Sequence, residues 1–536
     1  MTTETSNSIG RRPVMILDAL ALLVMAVIWY YAAGYMFMKD LNPNGDNYYY
    51  LHLMQNMWEG NGYGTSYGGE FKPSNWFPPG YPLILLAERW LLGYNLISFK
   101  WVNLLFLLGT AWLVWGWLKD WLGERTLPLV IGVMLLLNAG LLHFGVQLMS
   151  EVPFMFFTVL AFRFIHKLQD VEPFWRSPYF YLALVTMALV FHIRGIGLAL
   201  PAAFFVHQML KKQWKLAVAM TLGFVLLAMP WSLRNQHHGL KGRYLETATT
   251  KNPWNPDEGS LETVEDWKEK LTKNAYDTMF RGSMEVTLPH LYPTTQEKHI
   301  WILGAMMLSL ILFGLYMLGP MGRFLIIFLA ANGAIFLMWH GGNYSRYVWP
   351  LAPVLYLGLF TGILTLVRWG SERLNIQYVS SFAFILLGLL FWNRTRLDQY
   401  HVNSQNPLNE GFQQYIAFGD SVKGDRLKDP MVVCRKPMIF HEHSGARTSR
   451  FPFTTDSLAM LEYFVKTDPD YIIIDNMGYN SAAKFLVPVL NKNPDLFYVD
   501  SEGKANSYLL RYRKEVGLAK LEQWKARAAD TLARQD

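Results

Sequence analysis

The sequence predicts a polytopic α-helical membrane protein of about eleven transmembrane helices, followed by a C-terminal soluble α/β domain. Three observations carry this expectation. Of the 536 residues, 52% are hydrophobic and only 17% charged, with a mean hydropathy of +0.13; charged residues make up about a quarter of an ordinary soluble domain. Apolar runs near the roughly 20 residues of a spanning helix recur through the first 394 positions. From residue 395 the pattern changes to short apolar runs alternating with amphipathic helical stretches.

The expected spans are roughly 14–38, 98–118, 127–146, 152–168, 178–194, 195–210, 215–234, 300–318, 321–339, 346–366 and 378–394. Glycine and proline inside them are tolerated because neighbouring helices re-satisfy the backbone. The first run, Val14 to Met38, is too long for a cleavable signal segment. Basic residues set the orientation. With Arg11 and Arg12 in the cytoplasm, Lys119 and Arg125, Lys167 and Arg176, Lys211, Lys212 and Lys215, Arg323, and Arg368 and Arg373 all fall inside. The short outer turns hold far fewer, chiefly Arg194 and Arg346. Loops 39–97 and 235–299 and the C-terminal region then lie outside.

Three segments are expected: a membrane domain over 1–394 that includes the two outer loops, an extracytoplasmic α/β domain over 395–513, and a charged helical tail over 514–536. In the second, 430–434 and 471–475 are expected as buried strands. The stretches 457–467 and 480–494 are expected as helices, and "FYVD" and "SYLLRYR" as closing strands.

Several classes of function are disfavoured. The net charge of +7 is accounted for by membrane sidedness, so no nucleic-acid partner is expected. The single cysteine, Cys434, excludes an internal disulfide and any Cys-based metal site. No Gly-x-Gly-x-x-Gly follows a strand, so no dinucleotide site is expected. Neither His237-His238 nor the His-Glu-His at 441–443 has a spaced third ligand, so no metal and no cofactor are expected.

Directly after the first span comes "GDNYYYLHLMQNMWEGNGYG". Tyr50, Leu53, Met54, Met57 and Trp58 fall at i, i+3, i+4, i+7 and i+8, one face of a short interfacial helix headed by Asp46. Prolines 78, 79 and 82 then restart an apolar segment in "PPGYPLILL". An acid after the first span, an interfacial helix and this proline-rich return resemble the GT-C glycosyltransferases. The nearest branch is the protein-mannosyltransferase-like and aminoarabinose-transferase-like membrane enzymes. "SEVPFMFFTVLAF" (150–162), "RGIGLALPAAF" (194–204) and "SRYVWPLAPVLYL" (345–357) resemble later landmarks of that family, and the likeness covers roughly 14–394.

The compact size and single cysteine fit a bacterial inner membrane, and the resemblance implies an inverting enzyme with its active side on the outer, periplasmic face. Its donor would be a polyprenyl-phosphate-linked sugar, its acceptor a protein, lipid or glycan not identified by the sequence, and its other partners membrane lipids. Asp46 would be the general base. It also suits a helix N-cap. The acidic pair often found here is absent, since Asn47 follows. Glu151, at the outer end of a span, is the second candidate acid. Lys72, Arg194 and Arg346 run against the positive-inside trend and would bind the donor phosphate. Tyr49, Tyr81, His192, His340 and Tyr344 are candidate lining groups. Two other readings compete: a lipid or glycolipid flippase or transporter, which calls for midplane charges and inverted repeats, and a non-catalytic assembly protein.

Overall fold

The computed structural model describes residues 8–41, 46–169, 171–242, 247–252, 255, 258–289, 300–339, 344–377, 380–405, 408–425 and 427–532. The chain divides into two compact units. The first comprises Met1–Lys39, Trp76–Lys241 and Glu262–Gln405; the second comprises Asp40–Asn75, Gly242–Leu261 and Asn406–Asp536.

The first unit is helical. Among the described residues, five helices are long and apolar enough to cross a membrane: Met15–Met36, Leu96–Leu122, Trp214–His237, Gly319–Met338 and Ser345–Arg373. A sixth span arises if Thr126–Leu136 and Ala139–Val146, bent by 51°, are taken together. The expectation of eleven exceeds this number for identifiable reasons. Pro178–Ile193, Gly195–Leu210, Trp301–Met317 and Ser380–Leu389 are apolar but short, and helix Glu151–Leu168 carries Glu151, Arg163 and Lys167 within its 18 residues.

Polar clasps fix the pairing of the first long helices. Near the start of Ser8–Met36, Asp18 accepts from Lys119 Nζ at 2.7 Å and from Arg125 Nε at 2.8 Å. Beyond the other end of that helix, the buried Lys100 donates its ammonium to the carbonyl of Met38 at 2.8 Å. The carbonyls left over at a helix C-terminus need donors, and their partial negative charge favours a cation. The two clasps hold Ser8–Met36 antiparallel to Leu96–Leu122. At the bend, the Asn138 side chain accepts from Leu141 N–H at 3.1 Å and donates to Val286 O and Tyr356 Oη at 3.0 and 2.9 Å. Helices Ile300–Met317 and Ala352–Arg373 meet through glycines. A Cβ on Gly314 would stand 1.9 Å from Gly358 O, and one on Gly358 would stand 2.6 Å from Ile311 O. Small residues permit this approach, as in other membrane helix pairs.

The second unit is built on a sheet. Strands β3 (Met431–Cys434), β4 (Arg447–Arg450), β5 (Tyr471–Ile474), β6 (Phe497–Gly503) and β7 (Ser507–Tyr512) lie in the order β4-β3-β5-β7-β6. β4, β3 and β5 run parallel; β5, β7 and β6 are antiparallel. Val433, Ile472 and Leu510 from the sheet pack with Leu461, Phe464, Phe485 and Leu486 from the helices. Cys434, the last residue of β3, is fully buried.

The first loop belongs to this unit. Its short strands β1 (Gly64–Thr65) and β2 (Lys72–Pro73) pair antiparallel, and between them Tyr67 O accepts from the N–H of Thr448 on β4 at 2.7 Å. Gly69 adopts φ +96°, and a Cβ there would strike the Arg447 side chain. The loop helix Asp46–Trp58 meets helix Pro437–Ser444. His52 Nδ1 lies 3.2 Å from Glu442 Oε1, the His52 and His441 rings stand edge to face at 5.5 Å, and Tyr48 Oη lies 3.2 Å from His443 Nε2. The His-Glu-His triplet thus holds the loop helix in place.

Candidate active site

In the first unit, Glu151, Arg194 and Arg346 come together from three sequence regions. Glu151 opens helix Glu151–Leu168 and is fully buried. A carboxylate in the first turn is favoured by the free amides and the helix dipole. Arg194 follows helix Pro178–Ile193 in extended backbone, φ −145°, ψ 130°, which turns its side chain out of the helical row. Arg346 lies in the short helix Tyr344–Val348.

Both arginines converge on one carboxylate oxygen. Arg194 Nη1 is 2.8 Å and Arg346 Nε 2.5 Å from Glu151 Oε1. Arg194 Nη1 also donates to Ser150 Oγ at 2.9 Å. Glu151 Oε2 is buried and makes no hydrogen bond. Within this triad two cations face one anion, so the group keeps a net charge of +1. The arginine side chains retain 13% and 18% exposure, which leaves them accessible while the acid beneath them is sealed. Ser150 was not singled out from the sequence; its only signal is its place beside Glu151.

The other candidates of this unit sit as follows. Tyr81 is buried in helix Gly80–Leu92, and a Cβ on Gly80 would stand 2.6 Å from the His192 carbonyl, so this helix start abuts the end of Pro178–Ile193. His192 Nε2 lies 3.1 Å from Leu227 O. Tyr344 begins the short helix that carries Arg346. His340 lies outside the described residues.

In the second unit, Asp46 is half-buried and is the first residue of helix Asp46–Trp58. Tyr49 Oη lies 2.7 Å from Ser74 Oγ. Lys72 is exposed on β2, where it pairs in register with Thr65. The structure places beside Asp46 residues that the sequence did not suggest: Asp46 acts electrostatically on Lys436 and Tyr479. Burial, with Arg435 beside it, lowers the Lys436 ammonium to about 8 against the pull of Asp46 and Asp475. Burial raises the Asp475 carboxyl to about 6, a rise that the nearby Arg435 and Lys436 only partly offset.

Comparison with known proteins adds a family model matched over part of the chain, and a fold. Residues 69–237 match the family model described as dolichyl-phosphate-mannose-protein mannosyltransferase. No curated protein matches the chain. The crystal structure of ArnT from Cupriavidus metallidurans in the apo state matches with a TM-score of 0.54 at 12% identity, covering 94% of this chain and 99% of that one. The structure of ArnT from the same organism bound to undecaprenyl phosphate matches with a TM-score of 0.51 at 14% identity, covering 92% and 97%. The resemblance to the GT-C glycosyltransferases is therefore met twice over, by a mannosyltransferase family model across residues 69–237 and by the fold of ArnT across nearly the whole chain.

Proposed function

We propose that the protein transfers a sugar from a polyprenyl-phosphate donor to an acceptor hydroxyl on the outer side of a bacterial inner membrane, with inversion at the anomeric carbon. The acceptor oxygen attacks C1 as its proton passes to the carboxylate of Asp46. The C1–O bond to phosphate breaks, and polyprenyl phosphate leaves with the electron pair. Arg194 and Arg346 hold the phosphate and stabilise the charge that develops on it; Lys72 adds a third cation. Glu151 acts as a positioning residue: its charge is already committed to two arginines, which suits it to orient them rather than to take a proton.

The observation that carries this reading is the sharing of Glu151 Oε1 by Arg194 and Arg346. One buried acid shared by two arginines with part-exposed side chains is an arrangement suited to a lipid phosphate. The undecaprenyl phosphate named for one similarly folded protein agrees with that ligand class. The shorter apolar helices, together with the five to six long ones, are read as spans that complete a membrane domain of about eleven helices. The N-terminus is placed in the cytoplasm, and the residues after 395 form a periplasmic α/β domain.

The test is transfer by purified protein in detergent, using labelled undecaprenyl-phosphate sugars and an envelope extract as acceptor. Arg346→Gln is expected to weaken donor binding. Asp46→Asn is expected to keep donor binding and to lose about 100-fold or more in turnover. If Asp46→Asn keeps most of its turnover, the base lies elsewhere. If the protein moves the lipid between leaflets without forming a glycosidic product, the transporter reading replaces this one.

A further inference from the structure

The carboxyl edge of the parallel strands in the second unit carries a cluster that the transfer reaction does not use. Arg435 directly follows β3, Arg450 ends β4 and Asp475 directly follows β5; the sheet register pairs Cys434 with Arg450. Strand pairing therefore brings three charged residues from distant positions to one edge. In α/β sheets the crevice outside the carboxyl ends of the strands is where ligands bind.

The side chains there interlock through two aromatic rings. Phe453 is contacted by both Arg435 and Arg450, whose guanidinium carbons are 4.9 and 5.1 Å from its centroid. Tyr479 is shared by Arg435 at 5.0 Å and Lys436 Nζ at 4.7 Å. Arg435 Nε also donates to Ser481 Oγ. Three cations thus gather on two rings, with Asp475 the carboxylate at the strand ends. Asp475 is only 6% exposed, and its Oδ2 is buried without a hydrogen-bond partner. Cation–π contacts leave guanidinium N–H groups available for an anion. An orphaned buried carboxylate oxygen is costly unless a donor completes it.

We propose that this edge is a binding site for an anionic saccharide, with its phosphate or carboxylate held by Arg435, Lys436 and Arg450 and a sugar hydroxyl donated to Asp475 Oδ2. The proposal rests on the transfer reading in one respect. Asp46 acts electrostatically on Lys436 and Tyr479 of the same unit, so the saccharide bound here is the acceptor, or its neighbouring residue, presented to the base.

The test is equilibrium dialysis of the full-length protein in detergent with labelled glucose 6-phosphate, inorganic phosphate and glucose, in the absence of any lipid donor. Glucose 6-phosphate is expected to bind and glucose not to. Arg450→Gln, at an exposed position, is expected to weaken glucose 6-phosphate by 10-fold or more, and Arg435→Gln to do the same. Arg346→Gln is expected to have no effect. Asp475→Asn is expected to lower the preference for glucose 6-phosphate over inorganic phosphate, because a neutral amide accepts a weaker hydrogen bond than a carboxylate. Unchanged binding in a folded Arg450→Gln protein would overturn the proposal, as would a loss that follows Arg346→Gln instead. If Arg435→Gln does not fold, Arg450→Gln carries the test alone. Because no donor is present, loss of the transfer reading would leave this binding result standing, and the reverse also holds.

Discussion

Glu151 shows how much can rest on a single carboxylate. Removing its charge takes away the buried carboxylate that Arg194 and Arg346 share. Breaking a buried ion pair from one side is strongly destabilising, on the order of 3 kcal/mol. Glu151→Gln is therefore expected to lower the unfolding temperature in detergent and to abolish donor binding, whereas Glu151→Asp should retain part of both. Asp475 makes the opposite prediction. Its carboxyl titrates at about 6 in the folded chain against an ordinary 3.8, so the folded state holds the proton more tightly than the unfolded state. Stability from this group falls as pH rises from about 4 to about 6 and stays low above that. Asp475→Asn is expected to be more stable than the parent at pH 8 by up to about 3 kcal/mol, and to come within about 1 kcal/mol of it near pH 4.5. Thermal denaturation at the two pH values checks this; an equal difference at both would remove the role given to the charge. At this scale the sequence exposed the arginines, because Arg194 and Arg346 break the positive-inside trend. Arg435, Lys436 and Asp475 stayed hidden, since each looks like an ordinary strand-end residue until pairing aligns the strands.

Elements follow the same division. β3 and β5 were legible as runs of Val and Ile short enough for buried strands, and helix Ser457–Thr467 by its periodicity. β4 was not: Arg447, Thr448, Ser449 and Arg450 have no apolar pattern, because this strand lies at one end of the sheet order. The single expected span at 127–146 is two helices, bent where Asn138 leaves the helical row and caps the second one. The glycines Gly358 and Gly362 are visible in the sequence at helical spacing, but nothing there names Gly314 as their counterpart. Gly358→Val places a branched side chain where a Cβ alone would stand 2.6 Å from Ile311 O. The helices must separate, and a loss of about 1–3 kcal/mol is expected. It should be measured as a lower unfolding temperature, with Gly370→Val, where a Cβ meets nothing within 4 Å, as the control.

For the whole molecule, the sequence places a change of texture near residue 395, whereas the C-terminal part of the second unit begins at Asn406, after helix Leu390–Gln405. That unit also draws in Asp40–Asn75 and Gly242–Leu261, a grouping set by contacts such as the Tyr67 carbonyl with the Thr448 amide that no local pattern encodes. Sidedness is the matching prediction at this scale. The basic-residue bias puts Lys215 in the cytoplasm and Glu502 outside. Cys434 makes that prediction direct to check. It is the chain's one thiol, sealed at the end of β3, and burial pushes it up to about 12, so almost none of it is thiolate near neutral pH. The native protein is thus already a blank background for maleimide labelling, with no need for a cysteine-less variant. Introduced one at a time, Glu502→Cys should react with an impermeant reagent on intact cells, and Lys215→Cys only after the membrane is opened.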